Sequence, residues 1–257
     1  MPETTRLLAI ETSTDTLSVA LGSGVPGGRV WQHSGPGAAQ ASATLLPLVR
    51  DLLTQAGWTL ASLDAVVFGR GPGSFTGLRT ACAVAQGLAY GARPEGLPVL
   101  PVDTLLALAE EARSAGEERG EAVPGAIVAL LDARMGELYV APFACGADGL
   151  RPLAPARLCA PDDLAAYLQQ ALPAGVTPLL AGNALQAYPE QLTAVRGVHV
   201  GALPTATALL RLAPQLLARG DAVAARDALP LYVRDKVART TAEREGPRTA
   251  VVTETGA

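Results

Sequence analysis

Apolar residues follow two rhythms along the chain. In RLLAI (6–10), DAVVFGR (64–70) and LPVLPVD (97–103) they form short runs, and each reads as a β-strand. TLSVALGS (16–23) is a further strand, with alternating burial. GVPGGRV (24–30) supplies turn residues between it and a third strand around residues 30–33. Residues 44–57, TLLPLVRDLLTQAG, keep the helical period, with apolar side chains at 45, 46, 48, 49, 52, 53 and 56. Pro47 would cost about 3 kcal/mol inside a helix. With Thr44 as N-cap it falls in the first turn, where its N–H would be unpaired anyway, and Gly57 then ends the helix.

Further helices are expected over 76–90, over 104–113 with Asp103 or Thr104 as cap, and over 160–172 behind an acidic first turn. A last helix, 205–220, is expected to bend or break at Pro214. A second set of strands starts in AIVALLDARMGELYVAPFAC (126–145), and TPLLAGNA (177–184) runs from strand into turn. Residues 114–125 and 238–257 are polar and without period. The first reads as a flexible connection and the second as a mobile tail.

The elements repeat. LLAIETSTDTLSVAL (7–21) can be set against VALLDARMGELYVAP (128–142), an offset of 121 residues. In each, four apolar residues precede an acid, Glu11 or Asp132, and a leucine six residues later, Leu17 or Leu138, opens the next strand. Two unrelated hairpins could match this far by chance; a duplicated α/β fold would require the match.

Composition narrows the chemistry. With 257 residues, 49% hydrophobic and 17% charged, the chain can bury a sizeable core. Aromatics are only 4%, so that core is Leu, Val and Ala. The net charge of −4 argues against a main RNA-holding role, since phosphate neutralisation supplies most of such affinity. Three cysteines without a CxxC pair exclude a disulfide framework and a zinc ribbon. There is no signal peptide and no run of the roughly 18–20 apolar residues a membrane helix needs, so a cytoplasmic protein is expected.

GRGPGSFTGLR (69–79) stands between a strand and a helix, where many proteins hold a phosphate. No lysine follows its glycines, as a P-loop requires, and GxGxxG fails because position 74 is serine. What remains is a structural loop of Gly69, Gly71, Pro72, Gly73, Ser74 and Gly77, with Ser74 or Thr76 able to cap the helix. Anion binding by the helix N-terminus stays a second reading. The histidines, His33 and His199, form no HxxxH or HExxH pattern, so no metal site is expected. GPGSFTG is not a GxSxG nucleophile elbow, and no catalytic residue is assigned. Glu11 and Asp132 are open to two readings, as acids that polarise water or hold Mg²⁺ at a nucleotide, or as turn caps.

The helix GLRTACAVAQGLAYG carries small residues on several faces, and helix 44–57 is apolar around more than half its circumference. Either other helices of the same chain cover these faces, or another protein does.

LAIETSTDTLSVAL, FGRGPGSFTGLRTACAVAQGLAYG, LLDARMGELYVAPF and PLYVRDKVA, in this order from residue 8 to residue 238, resemble the TsaB (YeaZ) family. These are accessory subunits of the bacterial machinery that makes N6-threonylcarbamoyladenosine in tRNA. The resemblance implies an α/β, duplicated ASKHA (actin/Hsp70/sugar-kinase) fold in two lobes, 1–103 and 104–237, with the last helix able to return to the first lobe. It implies a non-catalytic chain that supports a catalytic paralogue, TsaD, with TsaE, an ATPase, joining them; alone, such chains pair with themselves. Contact is implied through Leu45, Leu46, Val49, Leu52 and Leu53 on the first helix, and Leu78, Ala81, Cys82 and Ala85 on the second. tRNA is then met through the complex, no membrane is involved, and no cofactor is tightly bound, with ATP or ADP held at most weakly or at the complex interface.

Departures bear on nucleotide binding. Where ASKHA kinases begin the first hairpin turn with aspartate, this chain resembles them with Glu11, followed by Thr12 and Ser13; with Asp132 they make a degenerate nucleotide site. A DxGGG phosphate loop is missing after Asp132, and Ala41 stands where relatives often have histidine. Two rival functions follow, an ASKHA-type ATPase or small-molecule kinase, and a glycoprotease-like peptidase acting on the partner.

Overall fold

A computed structural model describes residues 5–37, 41–122 and 124–234. The chain forms β1 (Leu7–Glu11), β2 (Thr16–Gly22), β3 (Trp31–Pro36), α1 (Ala41–Ala56), β4 (Ala65–Gly71), α2 (Phe75–Gly91), β5 (Val99–Asp103) and α3 (Thr104–Glu118). It continues with β6 (Ala126–Arg134), β7 (Glu137–Gly146), β8 (Gly149–Pro152), β9 (Arg157–Cys159), α4 (Leu164–Ala171), β10 (Leu179–Ala181), α5 (Ala184–Ala187), α6 (Pro189–Leu192), β11 (Val198–Val200) and α7 (Ala206–Ala218).

The repeat becomes a topology. The first sheet is ordered β3-β2-β1-β4-β5, with β1 antiparallel to β2 and parallel to β4. The second is ordered β8-β7-β6-β10-β11, with β6 antiparallel to β7 and parallel to β10, while β9 adds to β7. With β9 set aside, both sheets thus run third, second, first, fourth, fifth. This is the duplicated two-lobed ASKHA architecture. Glu11 ends β1, and Asp132 takes the matching place in β6.

Alternation within β1 assigns the layers. Leu8 and Ile10 face α1 and α2 in one apolar cluster, and Leu7 and Ala9 face α7 in another. In the second sheet Ile127, Ala129 and Leu131 pack on α3, and Val128 and Leu130 on α4. The helix α7 therefore lies on the first sheet although it follows the second in sequence. It is tied to α3 by Arg211, whose Nε reaches the buried Glu110 at 3.2 Å and whose Nη2 reaches Glu111 at 2.5 Å.

Several boundaries differ from expectation. The first helix starts at Ala41, so Pro47 lies in its interior rather than its first turn. Ala43, four residues earlier, is exposed, and water can take the carbonyl that Pro47 leaves unpaired. The helix α3 runs on through Glu118 into the supposed flexible connection, supported by Arg113, which pairs with Glu110 and Glu117. The helix α7 continues past Pro214, which lies against the backbone at Gly24. Asp103 occupies the N-cap position of α3 without a capping bond, because its carboxylate meets Arg70 Nε at 2.5 Å. The acidic turn at 161–163 is 3₁₀ and α4 begins at Leu164. The tail 238–257 and the last residues of the PLYVRDKVA motif lie outside the described residues.

Candidate functional site

The glycines of GRGPGSFTGLR answer to the chain's own first hairpin. A Cβ on Gly77 would stand 1.8 Å from Thr12 O, on Gly73 2.5 Å from Ser13 O, and on Gly69 1.9 Å from Glu11 Oε2. Gly71, at φ +123°, would meet Leu231 O at 2.4 Å, and its peptide with Pro72 is cis. Hydrogen bonds close the same gap: Ser74 N–H donates to Ser13 O at 2.7 Å, and Thr12 Oγ1 donates to Gly77 O at 2.8 Å. Ser74 sits at the N-cap of α2, but its side chain makes no capping bond. The close approach that these small residues permit is thus to residues 11–13 and Leu231 of the same molecule.

Glu11 is sealed by this packing. It is 1% exposed, and its Oε1 accepts from Ser13 N–H at 2.6 Å. Its Oε2 has no hydrogen-bond partner among the described residues. Burial pushes the carboxyl up from its ordinary 4.5, opposed in part by the Ser13 hydroxyl and the amides of Ser13 and Thr12. A raised folded value means that the fold favours the neutral acid. Its contribution to stability is fullest below the ordinary value and is lost as pH rises through the folded one. Glu11→Gln keeps the acceptor for Ser13 and removes the titration. Thermal melts between about pH 5 and 8 should show the variant gaining on the parent as pH rises; parallel curves would contradict this.

Asp132 has a different setting. It lines a cleft of about 280 Å³ between the lobes, whose walls include Ser13, Asp15, Ser74, Arg134, Asn183 and Arg234. Glu11 and Thr12 are not among the lining residues, so the four candidates for a degenerate nucleotide site divide, with Ser13 and Asp132 at the cleft and Glu11 and Thr12 behind it. Asp132 is already engaged. Its Oδ1 accepts from Tyr188 Oη at 2.9 Å and from Arg134 N–H at 2.8 Å, and its own N–H donates to Asn183 Oδ1 at 2.9 Å. Burial first, and Asp132 second, push the Tyr188 phenol up. Arg134 Nη2 crosses the cleft to Asp15 at 2.8 Å. Asp15, Arg134, Asn183 and Tyr188 carry no sequence signal of this role, because they come from four separate connections along the chain. Among the described residues no three His, Cys, Asp or Glu stand together where a metal ion could be held.

The outer helices need a larger correction. Of the nine interface candidates, Leu45, Val49 and Leu52 are 0–3% exposed and Leu78, Ala81, Cys82 and Ala85 are 0–5% exposed. All but Leu78 belong to the cluster over β1, β2 and β4. One face of each helix must cover the sheet, and these residues are that face. Cys82 is further fixed by Sγ donating to Ala228 O at 3.3 Å. Leu46, 51% exposed, is what remains outside, while the half-buried Leu53 packs against the same cluster. On α2 the residues Thr76, Arg79, Ala83, Gly87 and Tyr90 point outward, spaced 3, 4, 4 and 3 along one helix face. A Cβ on Gly87 would meet nothing within 4 Å.

A protein of Escherichia coli K12, tRNA threonylcarbamoyladenosine biosynthesis protein TsaB, is 36% identical over 239 residues, covering 91% of this chain and 96% of that one. The chain belongs to the TsaB family. A Haemophilus influenzae protein of the same name is 32% identical over 241 residues, 90% of this chain and 94% of its own. The solved structure of YeaZ from Pseudomonas aeruginosa superposes with a TM-score of 0.74 at 37% identity, covering 89% of this chain and 99% of that one. Another solved chain, described as an uncharacterized protein with similarity to peptidase YEAZ from Pseudomonas aeruginosa, gives 0.75 at 37% identity over 90% of this chain and all of that one. The family model described as TsaD, tRNA N6-adenosine threonylcarbamoyltransferase, matches residues 37–241. Membership of the TsaB family agrees with the four motifs and with the doubled strand order. No helix among the described residues is long and apolar enough to cross a membrane.

Proposed function

We propose that this chain is a non-catalytic subunit in the formation of threonylcarbamoyladenosine in tRNA, and that it binds and supports the catalytic paralogue TsaD through the outward faces of α1 and α2. The observation that carries this reading is the uncovered surface of those helices, with a half-exposed leucine on one and small residues with Arg79 and Tyr90 on the other. Small residues let a second backbone come close, and a leucine buried there contributes about 1.5–3 kcal/mol. In this reading the protein is cytoplasmic, TsaE joins the pair, the same faces join two copies when TsaD is absent, and tRNA is reached through the complex.

The non-catalytic half of the proposal is supported by the cleft. The acid that a phosphotransferase of this fold would present to its nucleotide lies sealed under Gly69, and Asp132 is held by Tyr188 and Arg134. Neither histidine lines the cleft: His33 is exposed on β3, and His199 Nε2 lies 3.0 Å from Val195 O. Titrating Mg·ATP into the isolated chain should give no saturable heat below about 1 mM. Micromolar binding with turnover would favour the ATPase reading instead.

A further inference from the structure

Residues 229–234 run as a strap from the first lobe to the second. Where the strap begins, Ala228 O accepts from Gln86 Nε2 of α2 at 2.9 Å. Leu231 N–H donates to Arg70 O at the end of β4, at 2.7 Å. The Tyr232 ring stacks on Phe75 in the first turn of α2, with centroids 4.9 Å apart and planes at 16°, and Arg79 Nε donates to Tyr232 Oη at 3.1 Å. Val233 packs into the second lobe's core.

In the second lobe the strap's Arg234 is only 9% exposed, and its guanidinium spans the β6–β7 turn. Nη2 donates to Ala133 O at 3.1 Å and pairs with Glu137 Oε2 at 2.8 Å, while Nη1 lies 3.3 Å from Met135 Sδ. That turn needs holding. Arg134 and Met135 are consecutive non-glycine residues in the left-handed region, at φ 62° and 58°, a conformation that persists only where the surroundings over-determine it. The turn in turn aims Arg134 across the cleft at Asp15.

We infer that the strap is a two-ended coupler. Arg234 is the positioning residue that holds the strained turn and so sets the Arg134–Asp15 pair between the lobes, and Tyr232 fastens this arrangement to the first turns of α2. Whatever displaces Tyr232 from Phe75 and Arg79 loosens the cleft, and whatever opens the cleft loosens Tyr232, since coupling between two sites is reciprocal. This holds whether or not the outward face of α2 meets another protein.

Hydrogen exchange on the intact chain tests the coupling. Arg234→Gln should speed exchange of residues 132–138 about tenfold, with β1 and β4 unchanged. Tyr232→Ala should do the same at that turn, although its ring lies against Phe75. Turn exchange within about twofold of the parent in Tyr232→Ala overturns the inference, as does an equal rise in every strand. If Arg234→Gln does not fold, the Tyr232→Ala result decides alone.

Discussion

Gly77→Ala is expected to lower stability by about 3 kcal/mol or more, while Gly87→Ala, ten residues along the same helix, raises it by about 0.5–1 kcal/mol. At Gly77 the added methyl would stand 1.8 Å from Thr12 O, a backbone atom whose neighbours Thr12 Oγ1 and Ser13 O are themselves hydrogen-bonded to α2 and its cap. Neither partner can yield without parting the first hairpin from the helix. At Gly87 the methyl meets nothing, and alanine only restricts the unfolded chain. For a domain of this size the first change corresponds to a fall of roughly 6–12 °C in Tm. Urea or thermal unfolding of the two variants side by side measures the contrast. Equal effects at both positions would show that the loop does not press on the hairpin.

Those glycines mark where the sequence was readable and where it was not. The failed P-loop and dinucleotide patterns already pointed to backbone geometry at Gly69, Gly73 and Gly77. Which backbone comes close was hidden, because residues 12–13 lie some sixty positions away and only the fold brings them there. The doubled order of strands was legible for a simpler reason. Apolar runs of four residues ending in an acid occur at Glu11 and at Asp132, and each sits in the same place in its sheet. Short strands such as β9 and β11, three residues each, are fixed by pairing with long neighbours and leave no period to read.

The interface residues show the same limit from another side. Helical periodicity identified α1 and α2 as rich in apolar positions, yet it could not say which face the sheet would take. Leu45, Val49 and Leu52 went inward and Leu46 outward, although all four are apolar at helical spacing. Arg234, Asp15 and Arg134 were missed because charged residues in turns look solvated until a distant partner is placed beside them.

The second large effect concerns the outward faces. Leu46→Glu combined with Ala83→Glu places a carboxylate on each exposed face, at positions where the monomer loses within about 0.5 kcal/mol. In a dry interface each new charge would be buried unpaired, so affinity for TsaD should fall about 100-fold or more, equivalent to about 2.7 kcal/mol. Val198→Glu is the matched control: it puts the same charge on a side chain 59% exposed on β11, in the other lobe, and should leave binding unchanged.

Size-exclusion chromatography with light scattering, on the chain mixed with TsaD, reads this most directly. The parent and Val198→Glu should elute with TsaD as one complex, while folded Leu46→Glu/Ala83→Glu should elute apart from it. A folded double variant that still travels with TsaD at the parent's affinity would contradict the claim that α1 and α2 form the docking surface.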